Sequence, residues 1–418
     1  MSFLATTSTQ STGKYTGITG SGQSFNNMQS SVVLMQIVHT NFTLSWCVIR
    51  TFAFDFAPGS TPIADGRLLS ISLNRTLFSI IGTTYGGDGT SNFALPNLQG
   101  IAMIGSDLSS YTLGSQTGSQ QITLTINQMP AHIHSIPSST QSTGVTGASQ
   151  SFNNLQLSLP VNYIICTSGY FPSPDSTVQY PFLGQIVALI GNSIPNGWTL
   201  ANGNLLSIAQ NTALFAVIGT TYGGDGRSNF ALPDLRGRVG VGVATGSNLQ
   251  LGGKSGTESI TLLSTNLPSH QHSLLSNTYG NNQTSSTGDG QSFENVQPSL
   301  GINYMVSLSG VYPSRDGGTI DSQTPVLGEI VGFAGNYVPQ GWSRADGSLL
   351  SISSNIALFS LLQTYYGGDG KSSFALPDLR DRVIVGSGEG FTLGAVVGSS
   401  EITLATDQLL AHAHSLPN

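Results

Sequence analysis

The chain has 418 residues, of which only 8% are charged, and its formal net charge is −7. This length predicts two to four structural units, and the shortage of basic residues argues against a nucleic-acid-binding surface. A hydrophobic content of 38% is sufficient for a folded core, so the low charge indicates surfaces buried against other subunits or an extracellular fibre.

The chain begins without an apparent targeting segment. The first ten residues, MSFLATTSTQ, lack a cationic stretch followed by an apolar one, so we expect any export to use another route or cell lysis. No apolar run approaches the length of a membrane span. Cys47 and Cys166 lie in apolar runs without metal-binding spacing, so we expect two buried thiols.

One sequence element recurs ahead of each predicted unit. It starts at Ser24, Ser151 and Ser292 as SFNNMQ, SFNNLQ and SFENVQ, and it continues into apolar runs such as VNYIIC. These β-branched runs predict strands, as does ITLTI further on. The segments 136–150 and 274–291 are rich in Ser, Thr, Gly and Asn and predict loops.

A longer block follows each of these elements, beginning at Leu68, Leu205 and Leu349. In the middle copy an apolar helical face ends at Gly219, which predicts one short helix per block. The YGGDG that follows predicts a tight turn with positive φ. We interpret its aspartate as a turn residue, because no ring of further carboxylates accompanies it as calcium would require.

The first block departs from the other two. Ion pairs are expected of Asp234 and of Asp378 with the arginines two and four residues later, whereas Asn97 replaces the aspartate in the first copy. Thr61 stands where the other copies have tryptophan. We therefore expect the first unit to face a different neighbour.

Six of the seven histidines form three HxH pairs, one behind each block. Residues i and i+2 of a strand face the same side, so each pair can direct two imidazoles at one atom. Six nitrogens suit an octahedral transition-metal ion rather than four-coordinate structural zinc, and availability favours iron, with zinc or nickel left open. The predicted ligands are His132, His134, His270, His272, His412 and His414.

Several blocks in fixed order, among them FLGQIVALIGNSIPNGWTLANGNLLSI, TTYGGDGRSNFALPDLRGRV and the HxH pair, resemble the phage tail collar domain. That domain occurs in short tail fibres and in the bacterial microcystin-dependent protein group. The resemblance implies a trimeric fibre module, and in related fibre tips HxH pairs from three chains hold a metal ion on a threefold axis.

We therefore expect an α+β fold, mainly β with irregular loops, in which three tandem repeats form a pseudo-threefold unit around one ion. The predicted segments are an N-terminal linker and strand 1–40, repeat one 41–135, a linker and strand 136–182, repeat two 183–273, a linker and strand 274–326, and repeat three 327–418. Two alternatives stay open for the histidines. Each pair caps a strand through backbone hydrogen bonds, or three chains assemble so that each repeat makes its own site.

The order of the segments raises a further choice. The chain starts with the strand that should follow a unit, about residues 24–39, and ends just after the last HxH pair. The third unit therefore needs the N-terminal strand of its own chain, which closes a ring, or that of the next molecule, which builds a head-to-tail filament. We favour the filament.

These observations predict a structural subunit of an extracellular, cell-surface or virion-tail filament or fibre, pilus-like or phage-tail-fibre-like, that self-assembles into a homopolymer. Adhesion to a host-cell receptor or glycan would use the variable loops. The alternative is a discrete lectin-like cell-binding protein. No catalytic constellation is present in the sequence, so we do not expect an enzyme, and we expect neither a nucleic-acid partner nor a membrane span.

Overall fold

The computed structural model describes residues 15–41, 46–59, 61–107, 109–136, 140–175, 180–274, 283–314 and 324–416. The fold is mainly β with one short helix in each of three similar units, as the sequence predicts. The first ten residues and parts of the two predicted loops lie outside the described residues.

The second and third units have the same order of strands and helix, and among the described residues the first unit lacks the counterparts of two of their strands. The first contains β1 Phe25–Asn26, β2 Ser31–Asn41, β3 Trp46–Phe52, β4 Leu68–Ser70, α1 Arg75–Ile81, β5 Asn92–Ala94, β6 Ala102–Gly105 and β7 Gln121–Ile122. The second contains β8 Phe152–Asn153, β9 Ser158–Cys166, β10 Gln185–Leu189, β11 Trp198–Leu200, β12 Leu205–Ser207, α2 Thr212–Ile218, β13 Asn229–Ala231, β14 Val239–Gly242, β15 Lys254–Ser255 and β16 Ser259–Ile260. The third contains β17 Phe293–Glu294, β18 Ser299–Ser307, β19 Glu329–Phe333, β20 Trp342–Arg344, β21 Leu349–Ser351, α3 Ile356–Leu362, β22 Ser373–Ala375, β23 Val383–Gly386, β24 Val396–Val397 and β25 Glu401–Ile402. In the second unit, the two strands without a described counterpart in the first are β11 and β15.

Local sequence explains the helix and the turn of each unit. Helix α2 buries Leu214, Val217 and Ile218 and ends at Gly219, which has φ +56°. In the following turn, a Cβ at Gly224 would lie 2.4 Å from the Cα of Phe230, so only glycine fits. Asp225 accepts hydrogen bonds from the backbone N–H groups of the next residues, which confirms the turn interpretation.

A closed barrel joins the three units. Among the described residues, seven strands follow one another around it in the order β9, β6, β23, β2, β3, β19 and β10, and β10 pairs again with β9. The strands β3, β10 and β19, one from each unit, also pair with each other in all three combinations. The units therefore share one core and are not independent domains joined by linkers.

The N-terminal strand is used by its own chain. β2 runs parallel to β23 of the third unit, with Ser31 opposite Val383 and Leu34 opposite Gly386. The corresponding parallel pairs elsewhere are β6 with β9 and β14 with β18. The expected head-to-tail strand exchange is therefore wrong for this structure, because the acceptor edge of the third unit is already filled and the ring is closed.

Two-residue ladders form a second layer around the same pseudo-threefold axis: β1 with β7, β8 with β16 and β17 with β25. The expected ITLTI strand is correspondingly wrong beyond Gln121–Ile122, because its partner β1 offers only two residues. The next apolar residue, Leu124, packs instead in an axial cluster with Phe25. The rings of Phe25, Phe152 and Phe293 meet edge to face with centroids 5.8–5.9 Å apart.

The structure also confirms the expected buried thiols and the expected Asp–Arg ion pairs of the second and third units. Cys47 and Cys166 are buried free thiols, and burial raises the pKa of each to about 12. Asp234 pairs with Arg236 at 2.9 Å, and Asp378 pairs with Arg380 at 2.9 Å.

Candidate metal centre

Each HxH pair follows a short 3-10 turn, at Ile126–Gln128, Ser264–Asn266 and Thr406–Gln408. The side chain of the last residue of each turn accepts a hydrogen bond from the backbone N–H group three residues earlier. In the first turn, Gln128 Oε1 accepts from Thr125 N at 2.9 Å. The chain then leaves the turn in an extended form because Met129 has β-region dihedral angles. Met129, Leu267 and Leu409 are fully buried against one another beneath the histidines.

The structure brings all six predicted histidines into one buried cluster. The exposed fraction of each side chain is 5% or less, and that of the inner three, His134, His272 and His414, is 1% or less. The rings of these three have centroids 4.8 Å apart. The outer three, His132, His270 and His412, form a second triangle with sides of 5.1–5.3 Å.

The two triangles are staggered. Each outer ring lies 4.7–5.5 Å from two inner rings, which completes the edges of an octahedron. The opposite corners are His132 with His272, His134 with His412, and His270 with His414. An octahedron of imidazoles is the arrangement expected around one six-coordinate ion.

Backbone carbonyls fix which nitrogen of each ring faces the centre. Every Nδ1 lies 2.8–2.9 Å from a carbonyl oxygen, which can only accept, so Nδ1 carries the proton. Each Nε2 therefore presents a lone pair. The Nε2 atoms of His134, His272, His412 and His414 are buried without a hydrogen-bond partner among the described residues.

The distances test whether the set fits an ion. The Nε2 atoms of His132 and His270 are 3.3 Å apart, although both carry lone pairs. An octahedron with that edge has a centre-to-corner distance of about 2.3 Å, close to the ~2.0–2.1 Å of metal–imidazole bonds. The two four-histidine groups His132, His270, His272, His412 and His132, His134, His272, His414 each have their ligand atoms within 4.8 Å. The donors fit a metal, which would also relieve the repulsion between the lone pairs.

The cluster favours neutral imidazole, the form that binds metals. Burial lowers the pKa of His132, His272 and His412 to about 4 and that of His134 to about 3. Burial likewise lowers the pKa of His270 and His414. The carbonyls on Nδ1 oppose this effect without overcoming it. Near neutral pH the six rings therefore do not have to lose a proton before they bind a cation.

The alternative reading, in which each pair caps a strand, describes only part of this arrangement. Nδ1 of the outer His132 does bond to the carbonyl of Pro130 in its own segment. The inner His134 instead bonds to Ser285 of the next unit, 151 residues away. The histidine segments also lie outside named strands and make only isolated bridges, such as His132 with Thr146.

Sequence reasoning missed the residues that support the rings. His134 N donates to Thr143 Oγ1, His272 N to Thr284 Oγ1 and His414 N to Thr16 Oγ1. The residue after each threonine supplies the carbonyl for an inner histidine of another pair. A signal was present, because YTGITG, STGVTG and QTSSTG recur at residues 15–20, 142–147 and 283–288.

The comparison with known families agrees with this architecture. A family model described as the Phage Tail Collar Domain matches residues 48–103, 184–240 and 328–384. The chain contains three tandem phage tail collar domains. The match includes the degenerate first copy. Comparison with curated proteins and with solved structures returned no match.

The collar domain is a structural module of phage tail fibres and not a catalytic one. In this chain the segments that follow the three copies form a buried histidine cluster that could hold a metal ion. Within the described part of the chain, no helix has the length and apolar character needed to cross a membrane.

Proposed function

We propose that this chain is a structural subunit of a phage-tail-type fibre, in which one polypeptide replaces the three chains of a fibre tip and six histidines bind one metal ion as a lock. The observation that carries the proposal is the octahedron of imidazoles contributed equally by the segments that follow the three collar domains. A metal there would join segments that are distant in sequence, as a disulfide does.

Among transition metals we propose iron, because six neutral nitrogens suit an octahedral ion and iron is widely available. Nickel would be accepted by the same donors. Zinc in structural sites prefers four ligands and would leave two buried nitrogens without a partner. The predicted ligands His132, His134, His270, His272, His412 and His414 act together in this site.

The surface around the metal centre supports adhesion to a receptor or glycan on a host cell. Ile18 and Val145 lie in the threonine-containing arms and have exposed fractions of 74% and 68%. Ile133, between two ligands, is also exposed. Exposed apolar side chains that form a contiguous patch are typical of contact surfaces. This role places the protein on a virion tail or outside the cell.

The closed ring affects how a fibre would assemble. Since β2 is paired within its own chain, subunits of a homopolymer or a pilus-like filament would have to contact one another through the outer surfaces of complete, closed chains. The same closure favours the second candidate, a discrete lectin-like cell-binding protein that works as a single particle.

Native mass spectrometry of metal-loaded protein tests the lock. We expect one ion on a single 43.5 kDa chain, and loss of that ion in His134→Ala but not in His39→Gln, which changes the one histidine outside the pairs. A folded chain that binds no transition metal would refute the lock. Negative-stain images then separate fibres from discrete particles.

A further inference from the structure

Three buried asparagines have an unpaired oxygen each. Asn27, Asn154 and Asn295 are at most 1% exposed, and no described group donates a hydrogen bond to their Oδ1 atoms. They occupy the same position in FNNMQ, FNNLQ and FENVQ. An unpaired buried acceptor costs about 1–3 kcal/mol, so three at equivalent positions call for a ligand.

The orientation of these amides is fixed by the backbone. Asn27 Nδ2 donates to the carbonyls of Ser119 and Leu155 at 3.1 and 2.9 Å. Asn154 Nδ2 donates to Thr257 O at 3.2 Å, and Asn295 Nδ2 donates to Ser399 O at 3.1 Å. Turning an amide around would set its oxygen against a carbonyl. The three Oδ1 atoms therefore remain acceptors.

Rings of side chains above and below place these asparagines on the pseudo-threefold axis. Two residues earlier in each segment is a phenylalanine of the edge-to-face triad. Two residues later are Gln29, Gln156 and Gln297, whose backbone N–H groups donate in a cycle to the Oε1 of the next glutamine at 2.9–3.0 Å. Each asparagine follows directly after its two-residue strand and lies between these two rings along the chain. The position in all three segments is therefore equivalent with respect to the axis.

The unpaired asparagine oxygens suit a cation, because amide oxygens are ordinary ligands of hard cations. The neighbouring glutamine ring also contains two unpaired donors, Gln156 Nε2 and Gln297 Nε2, so an experiment has to distinguish an ion from water molecules that bridge these groups.

On the surface of the third unit, the exposed Glu294 follows Phe293 of the triad and lies directly opposite Glu401 on the β17–β25 ladder. Both line an open cavity together with Asp381 and Gln29, and none of the three asparagines lines that cavity. Like charges that face each other across a ladder destabilise it unless a cation is close.

We propose that Asn27, Asn154 and Asn295 bind one hard cation of the alkali or alkaline-earth class through their Oδ1 atoms, with water completing its shell. The chain then carries a second axial ion site, separated from the histidine cluster by the phenylalanine triad and by Met129 and its two equivalents. This site is independent of the proposed histidine lock, because its donors are oxygens rather than imidazole nitrogens.

Anomalous diffraction from crystals of the full chain tests this proposal directly. Crystals soaked in rubidium chloride represent alkali ions, and crystals soaked in strontium chloride represent alkaline-earth ions. We expect a peak between the three Oδ1 atoms in at least one soak, and the soak that gives it identifies the class. Three separate water molecules and no peak in either soak would overturn the proposal.

A variant gives a second, solution readout. Asn295→Asp keeps the oxygen and adds a charge. With whichever cation gives the diffraction peak, rubidium or strontium, the thermal midpoint should therefore rise at least twice as much as it does for the unmodified chain. Asn153→Asp is the matched control, because Asn153 is exposed and the equivalent residue of the third unit is already Glu294. Equal dependence on that cation in all three proteins would contradict the site.

Discussion

The guanidinium of Arg50 and the carboxylate of Glu329 form a buried two-point ion pair between the first and third collar domains. Arg50 Nε lies 2.7 Å from Glu329 Oε1, and the second guanidinium nitrogen contacts Oε2. The two side chains are only 8% and 3% exposed. By strand register, the equivalent positions at the other two junctions are Val187 with Val48 and Val331 with Gln185. This pair therefore distinguishes one junction from the other two.

Breaking this pair on one side should destabilise the whole fold. Arg50→Val leaves the carboxylate buried without its partner, so we expect the free energy of unfolding to fall by about 3–5 kcal/mol. Urea denaturation measures this. Arg67→Val, which removes the exposed partner of Asp65, should cost less than about 1 kcal/mol.

The double variant Arg50→Val with Glu329→Val should recover part of that loss, because it reproduces the apolar pair at another junction and leaves no buried charge. The recovery is incomplete because the backbone N–H of Val326 loses Glu329 Oε2 as its acceptor. If the double variant is as unstable as Arg50→Val alone, the loss did not come from an unpaired carboxylate.

Metal-free protein should lose stability in acid. The pKa of each cluster histidine is lowered in the folded state relative to 6.5, to about 4 at His132, His272 and His412. Below pH 6.5 the unfolded chain therefore binds protons that the folded chain does not. Stability is full above pH 6.5 and falls towards pH 4, by up to about 1.4 kcal/mol per pH unit for each histidine.

Denaturation of chelator-treated protein between pH 4 and 8 checks this sign. Iron at 100 times its dissociation constant should add about 2.7 kcal/mol at neutral pH. The gain should shrink in acid because protons compete for Nε2. A chelator-treated protein whose stability is flat from pH 7 to 5 would contradict the buried neutral cluster.

Adding a methyl group at Gly242 should separate the second and third domains. Gly242 bridges to Arg380, and a Cβ there would lie 2.2 Å from the carbonyl oxygen of Leu379. We expect Gly242→Ala to cost about 1–3 kcal/mol through overpacking. At Gly246 a Cβ would meet nothing within 4 Å, although φ is +89°.

Gly246→Ala therefore serves as a reference for backbone strain without a close contact, and it should cost about 1 kcal/mol. Gly242 does not have a positive φ, so a loss of stability there reports the close approach of the two units. If Gly242→Ala lowers the free energy of unfolding by less than Gly246→Ala does, as measured by thermal unfolding, the close approach is not limiting.

The threonine arms should affect metal affinity as well as stability. Thr143→Val removes the hydroxyl that accepts the N–H of His134, so we expect a loss of about 1–3 kcal/mol. The dissociation constant for iron should rise by about 10-fold or more, because supporting groups orient metal ligands. Thr112→Val, at an exposed threonine outside the cluster, should leave the constant unchanged.

The sequence by itself determined the local features of this protein. Gly219 ends a helix and Asp225 organises a turn because both depend on neighbours within a few residues. The HxH spacing likewise places two imidazoles on one side, so the six histidines of the cluster could be named from the repeat. The threonine-containing arms that support the histidines also recur in the sequence, at residues 15–20, 142–147 and 283–288.

Only the tertiary structure decided how the chain closes. β2 pairs with β23 more than 350 residues away, and no local pattern distinguishes that partner from the same strand of another molecule. The Arg50–Glu329 pair and the cycle of three glutamines depend on the same choice. Strand spacing and side-chain chemistry are identical for an internal and an external partner, so burial and register across the whole barrel select between them.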